Sequence, residues 1–168
     1  MALTSEITFK VTGTYTAAKD LSTVTDPLAL SKSIPLASGT GANQADLLFH
    51  DQRTIAASSN DDLDLAGSLS DSFGNTLTFV KVKTIYVFAA TANTNSVVVG
   101  GAASNQFVAW VGDATDKVNI LPGGAIMITA PSAAGYAVAA GSTDVLRVAN
   151  SSSGTTVTYD ITIIGTSA

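Results

Sequence analysis

Residues 117–138 read KVNILPGGAIMITAPSAAGYAV. An apolar run stops at Pro122-Gly123-Gly124, resumes, and stops again at Pro131. No feature constrains the fold more than this punctuation. Proline presets φ at the second position of a tight turn, and glycine accepts the positive φ of the third. KVNIL and AIMIT therefore read as two strands joined by a reversal. Similar breaks recur at Gly100-Gly101, Gly141 and Gly154. Between them lie further strand-like runs: ADLLFHDQRTIAA, a short strand around Leu63 and Leu65, SVVVG, QFVAWVG, YAVAA, DVLRVA and TVTYDITIIG. In the last, Val157, Tyr159, Ile161 and Ile163 alternate with Thr156, Thr158, Asp160 and Thr162. Short strands at a spacing of ~8–12 residues predict an all-β fold: an antiparallel β-sandwich, jelly-roll-like, of eight or so strands. No segment has the apolar stripe of a three-turn helix.

The N-terminal part is different. In EITFKVTGTYT, Ile7, Phe9, Val11 and Tyr15 share one face, which predicts a half-buried strand. Residues 17–44 then carry Pro27, Pro35, Gly39 and Gly41 among many Ser and Thr, and the expected state is a long, irregular, extended connection. Such a segment cannot bury a face of its own, so it reads either as a solvated loop or as an arm ordered by another chain, and the arm is the expectation. Its apolar side chains, Leu21, Val24, Leu28, Leu30, Ile34 and Leu36, are the candidate contacts with another protein subunit. The expected division is an N-terminal strand and arm over 1–44 and a sandwich domain over 45–168. In TLTFVKVKTIYVFAA, Val80 and Val82 alternate with Lys81 and Lys83, then the run turns apolar on both faces, as in a strand that starts at an edge and ends between two layers.

Composition excludes several classes of function. Only 12% of residues are charged, against ~25% in soluble domains, so the polar surface is mostly hydroxyl and amide. A net charge of −5 with scattered Lys and Arg argues against nucleic-acid partners. No run approaches the ~18 apolar residues of a membrane span, and MALTSEITFK lacks the apolar core of a signal peptide, so synthesis in a cytoplasm is expected. There is no cysteine and one histidine, which leaves carboxylates as the only metal-ligand set. No cofactor or metal is expected.

Each reactive-looking group has a plainer structural role. His50 precedes Asp51, but no Gly-x-Ser-x-Gly nucleophile elbow occurs, and a polar strand residue accounts for it. Asn60, Asp61, Asp62 and Asp64 cluster in SSNDDLDL without an EF-hand glycine or a closing glutamate, as in a loop entering a strand. SGTGANQ and VVVGGAAS lack the Walker lysine and a following helix. Trp110, Tyr136 and Tyr159 are the possible stacking platforms for a glycan, and Asn150-Ser151-Ser152 fits a glycosylation sequon. No enzymatic activity is expected.

ADLLFHDQRTIAASSNDDLDLAGSLSDSFGNTLTFVKVKTIYV, then NTNSVVVGGAASNQFVAWVGDATDKVNILPGGAIMITAP, then DVLRVANSSSGTTVTYDITIIGTSA resemble small structural proteins of tailed-bacteriophage virions. The resemblance spans residues 45–168 and contains no catalytic signature. It implies a capsid decoration, or cement, protein: a homotrimer on the outer surface of the phage head that binds the major capsid protein and stabilises the shell. The alternatives are a tail, baseplate or fibre component, or a glycan-binding surface module of the virion.

Overall fold

The computed structural model describes residues 2–168. The chain forms β1 (Ser5–Ala18), β2 (Thr23–Ser38), β3 (Gln44–Ala45), β4 (Leu47–Ile55), β5 (Asn60–Asp64), β6 (Leu69–Ser70) and β7 (Thr76–Leu77). It continues with β8 (Lys81–Ala89), β9 (Val97–Gly100), β10 (Lys117–Ile120), β11 (Ala125–Thr129), β12 (Tyr136–Ala137), β13 (Val145–Asn150) and β14 (Val157–Thr166). None of the described residues is helical, and the fold is the expected all-β one.

Two antiparallel sheets make the body. One has the order β11-β8-β14-β4, with β12 added beside β8; the other has the order β10-β9-β13-β5. Alternation along each strand drives their packing. Val157, Tyr159, Ile161 and Ile163 of β14 point inward with Ile85 and Val87 of β8, and meet Leu146 and Val148 of β13 and Val97 and Val99 of β9 in one core. The Pro122-Gly123 reversal joins β10 to β11 across the two sheets, with Gly123 at φ 76°. That positive φ is what the PGG signal requires.

Two inward positions depart from simple alternation. Lys83 has the parity of Ile85 and Val87 and is fully buried, while Val80 is 38% exposed. Its ammonium donates to the Ser132 carbonyl, so the chain folding back after β11 gives this charge its partner. Burial, followed by the charge of Lys81, holds the Lys83 pKa below the usual lysine range. At Gly165 the register of β14 on β8 shifts. A Cβ there would lie 2.3 Å from the Lys81 carbonyl oxygen and 2.6 Å from the Phe79 ring, so only glycine fits the bulge.

The N-terminal region corrects the expectation of an irregular connection. Residues 23–38 form a sixteen-residue strand that pairs with β1 from Ser5↔Leu36 to Ala18↔Thr23. The reason lies in the sequence: Val24, Leu28, Leu30, Ile34 and Leu36 all occupy even positions, a period of two interrupted by Asp26 and Lys32. The prolines do not break it. The Ala37 N–H bonds the Asn43 carbonyl, on the side of β3 and away from β1. Pro27 and Pro35 share the parity of Ala37, so their missing N–H groups also face that outer edge. The hairpin closes over residues 19–22 with the Lys19 N–H on the Ser22 carbonyl.

Only the base of this ribbon is packed. Ile7, Leu36, Ala45 and Ile164 form a second, small core, flanked by Leu3, Phe9, Ile34, Leu48 and Met127. Leu48, Ile164 and Met127 lie on the outer face of the β11-β8-β14-β4 sheet, where β14 matches Ile164 to Leu48 of β4. Beyond this base both faces of the ribbon are open to solvent.

Candidate functional site

The polar clusters singled out in the sequence are occupied by structural contacts. Asp61 accepts from the Tyr159 hydroxyl at 2.8 Å and from Arg53 Nε at 2.5 Å. Asp62 accepts both Nε and Nη2 of Arg147 at 2.7 Å. The hydrogen bonds from Arg147 hold the Asp62 carboxyl below its ordinary pKa. Asp64 caps the Ala66 N–H at 2.8 Å. The acidic run thus ties β5 to β13 of its own sheet and to β4 and β14 of the other. No group of three potential metal ligands is assembled among the described residues.

His50 does meet a serine. Its Nε2 lies 3.1 Å from Ser72 Oγ at a shallow groove of about 420 Å³, lined by Leu3, Leu48, His50, Phe73 and Leu77 among others. The pair is exposed, and among the described residues no carboxylate bonds the other ring nitrogen. The nearby backbone N–H groups of Phe73 and Asn75 are turned onto Asp71 Oδ1 at 2.9 and 2.8 Å and form no oxyanion hole. A nucleophile needs its base oriented by a third group, and this dyad has none.

The proposed glycan platforms are placed unequally. Tyr159 is wholly buried, so it cannot stack on a ligand. Trp110 is half-buried against the core and donates its Nε1–H to the Phe107 carbonyl at 3.0 Å. Tyr136 is likewise packed on the core. Asn150 of the sequon is buried, with its amide donating to the carbonyls of Thr155 at 2.7 Å and Ala56 at 3.2 Å. Gly41 is held by Gln44 Oε1 at 2.8 Å, which makes its loop a turn.

The ribbon remains. In an antiparallel pair, directly opposed residues share a face. One face carries Phe9/Lys32, Val11/Leu30, Gly13/Leu28, Tyr15/Asp26 and Ala17/Val24; the other carries Thr8/Ser33, Lys10/Ser31, Thr12/Ala29, Thr14/Pro27 and Thr16/Thr25. The ribbon is therefore amphipathic over its whole length. Its apolar face is uncovered: Val11 is 53% exposed, Tyr15 77%, Val24 53%, Leu28 54% and Leu30 48%. Of the six candidate contacts, Val24, Leu28 and Leu30 lie together on this open face, and Leu21 stands fully exposed at the tip. Ile34 is partly buried at the base. Leu36 is 1% exposed within its own chain, which removes it from the contact set. The six candidates omit the β1 half of this open face, Val11 and Tyr15, which the alternation of Ile7, Phe9, Val11 and Tyr15 marks.

No protein family, curated protein or solved structure matches the chain.

Proposed function

We propose that the protein is a structural assembly component rather than an enzyme, and specifically the virion surface protein that the sequence resemblance implies. One observation carries this reading: a β-ribbon whose apolar face continues outward from the packed base and is left bare by its own chain. An isolated two-stranded ribbon is marginal in water, so such a face is built to be covered by another subunit. The eight main strands, β4, β5, β8, β9, β10, β11, β13 and β14, cross repeatedly between the two sheets. That order supports a jelly roll, an architecture used in viral shells and in lectins. Fold alone does not choose between them. The burial of Tyr159 and the packing of Trp110 and Tyr136 favour the shell reading over glycan binding.

In this role the sandwich is a rigid body seated on the major capsid protein, and the ribbon reaches a neighbouring subunit. Low charge suits close contact between protein surfaces. Purified protein added to phage heads lacking their decoration protein tests the proposal. Saturable binding and a higher temperature of head disruption are expected; failure to bind heads, with binding to tails or glycans instead, would transfer the protein to one of the alternatives.

A further inference from the structure

The ribbon has two edges, and they are not equivalent. Ala37 turns its N–H toward β3, so the odd residues of β2 point away from β1 and the even ones toward it. The register matches even residues of β2 to odd residues of β1 throughout, without a bulge. The even residues of β1, Glu6, Thr8, Lys10, Thr12, Thr14 and Thr16, therefore turn their N–H and C=O groups to the free side. Among the described residues no backbone group bonds this edge, and β1 ends its sheet. The side chains of these residues are all exposed, so their own chain leaves the edge uncovered.

Natural edge strands are kept short, charged, bulged or interrupted by proline. β2 follows that rule at its outer edge, with Pro27 and Pro35. β1 does not. It runs for 14 residues without a proline, and most of its outward residues are threonine, a strong strand former. Such an edge takes an added strand through main-chain hydrogen bonds. The end strands of the two body sheets, β11, β4, β10 and β5, have 5, 9, 4 and 5 residues. β4 and β5 also carry Asp51, Arg53, Asp61, Asp62 and Asp64. Among the described strands, the partner that matches β1 in length and lacks such guards is β1 itself.

We propose that the outer edge of β1 pairs antiparallel with the same edge of a second copy, about a two-fold axis normal to the ribbon. An edge that meets itself in this way makes an isologous contact. Backbone parity restricts the pairing. The outward groups sit on even residues in both copies, so even residues oppose even ones and odd residues oppose odd ones. The threonines of the two copies then lie opposite one another across the new pair, an arrangement that favours strand pairing. Every register of this kind differs from the next by two residues, and all of them keep Phe9, Val11, Tyr15 and Ala17 of both copies on one side. The product is a four-stranded sheet with a single apolar face. A two-stranded ribbon is marginal by itself, and the added strands relieve that weakness. In the virion reading the widened face is what a shell subunit meets, but the edge pairing does not depend on that reading.

Amide hydrogen exchange, read residue by residue on the full chain at low and high protein concentration, tests it. In the monomer the N–H groups of Thr8, Thr12, Thr14 and Thr16 have no acceptor, while those of Phe9, Val11, Gly13 and Tyr15 are bonded to β2. At high concentration the even-numbered amides should slow by about tenfold or more. Those of Thr25, Ala29 and Ser31, on the outer edge of β2, should not change. A chain that stays monomeric, or an association that leaves the even-numbered β1 amides fast, overturns the proposal. Two proline variants give an independent readout by sedimentation velocity. Thr12→Pro removes an outward donor from β1, and Ala29→Pro, at the opposed position, removes one from the outer edge of β2. Neither takes a hydrogen bond from the pairing of β1 with β2. Thr12→Pro removes a bond on each side of the two-fold and should weaken dimerisation about tenfold. Ala29→Pro should leave it unchanged, and equal effects of the two overturn the proposal. All these measurements use the isolated protein, so they can fail while head binding succeeds, and the converse.

Discussion

The hydroxyl of Tyr159 donates to Asp61 Oδ2 at 2.8 Å, one of the bonds that tie the two sheets together. Tyr159 belongs to β14 and Asp61 to β5, at opposite layers of the sandwich. Arg53 of β4 holds the same carboxylate through Nε and Nη2 and reaches Asp51 through Nη1 at 3.1 Å. Tyr159→Phe removes one bond to a charged acceptor that keeps its arginine, and should cost about 1–2 kcal/mol. For a chain of this length that lowers Tm by about 3–6 °C. Asp61→Ala strands a buried hydroxyl and leaves Arg53 with Asp51 alone, and should cost more, about 2–4 kcal/mol. Thermal melts of the two variants give the order.

Stability should fall at both ends of the pH range, for different reasons. Burial, reinforced by Asp61, raises the Tyr159 pKa well above 10.0. The unfolded tyrosine ionises near pH ~10 while the folded one stays neutral, so stability is complete below that pH and drains away above it. Asp62, lowered by Arg147, behaves oppositely. Its contribution is complete above the unfolded aspartate pKa of ~3.9 and is lost as pH drops through the folded value. Denaturant midpoints measured between pH 2 and 11 should show both declines, and Tyr159→Phe should flatten the alkaline one.

The glycines at 13 and 165 should respond in opposite ways to alanine. At 165 the new Cβ would enter the Lys81 carbonyl and the Phe79 ring, so Gly165→Ala should destabilise by about 1–3 kcal/mol or prevent folding. At 13 the space is open, and Gly13→Ala should leave Tm of the body unchanged within error. Comparing the two melts checks the assignment of one glycine to the fold and the other to the ribbon.

The ribbon beyond its base should be dispensable for the body. No residue between Val11 and Leu30 belongs to either core. A chain with residues 11–30 replaced by a short Gly-containing turn should keep its β circular-dichroism spectrum and a Tm within a few degrees of the native value.

Lys83→Met should be neutral or stabilising. The buried ammonium is charged at a desolvation cost, and methionine matches its length without the charge. The gain should shrink as pH rises through the lowered folded pKa of Lys83 toward the unfolded value of ~10.4, because the folded side chain sheds its charge first. Melts at pH 7 and pH 10 distinguish this from a simple packing effect.

Most of the body was legible because its signals are local. The Pro122-Gly123 turn and the alternation of Val157, Tyr159, Ile161 and Ile163 need no tertiary information. Lys83 was not legible: its neighbour Val80 is exposed and it is buried, because the partner for its charge comes from Ser132, forty-nine residues away. The partners of Asp61 and Asp62 were hidden in the same way, since Arg147 lies eighty-five residues from Asp62. The ribbon was half-read. Its apolar residues were picked out individually, but the prolines obscured their common parity, and only pairing with β1 showed that they share a face with Phe9, Val11 and Tyr15.

The two prolines of β2 also leave the ribbon with one fully strand-competent edge instead of two. A long ribbon with two open edges would recruit strands from both sides and grow into fibrils. With Pro27 and Pro35 withholding donors from the outer edge of β2, lateral growth is left to the outer edge of β1. If two ribbons join there, both remaining edges are proline-blunted ones, and addition stops. The chain can thus display a long stretch of bare strand at high concentration, and any sheet it recruits has a built-in terminus.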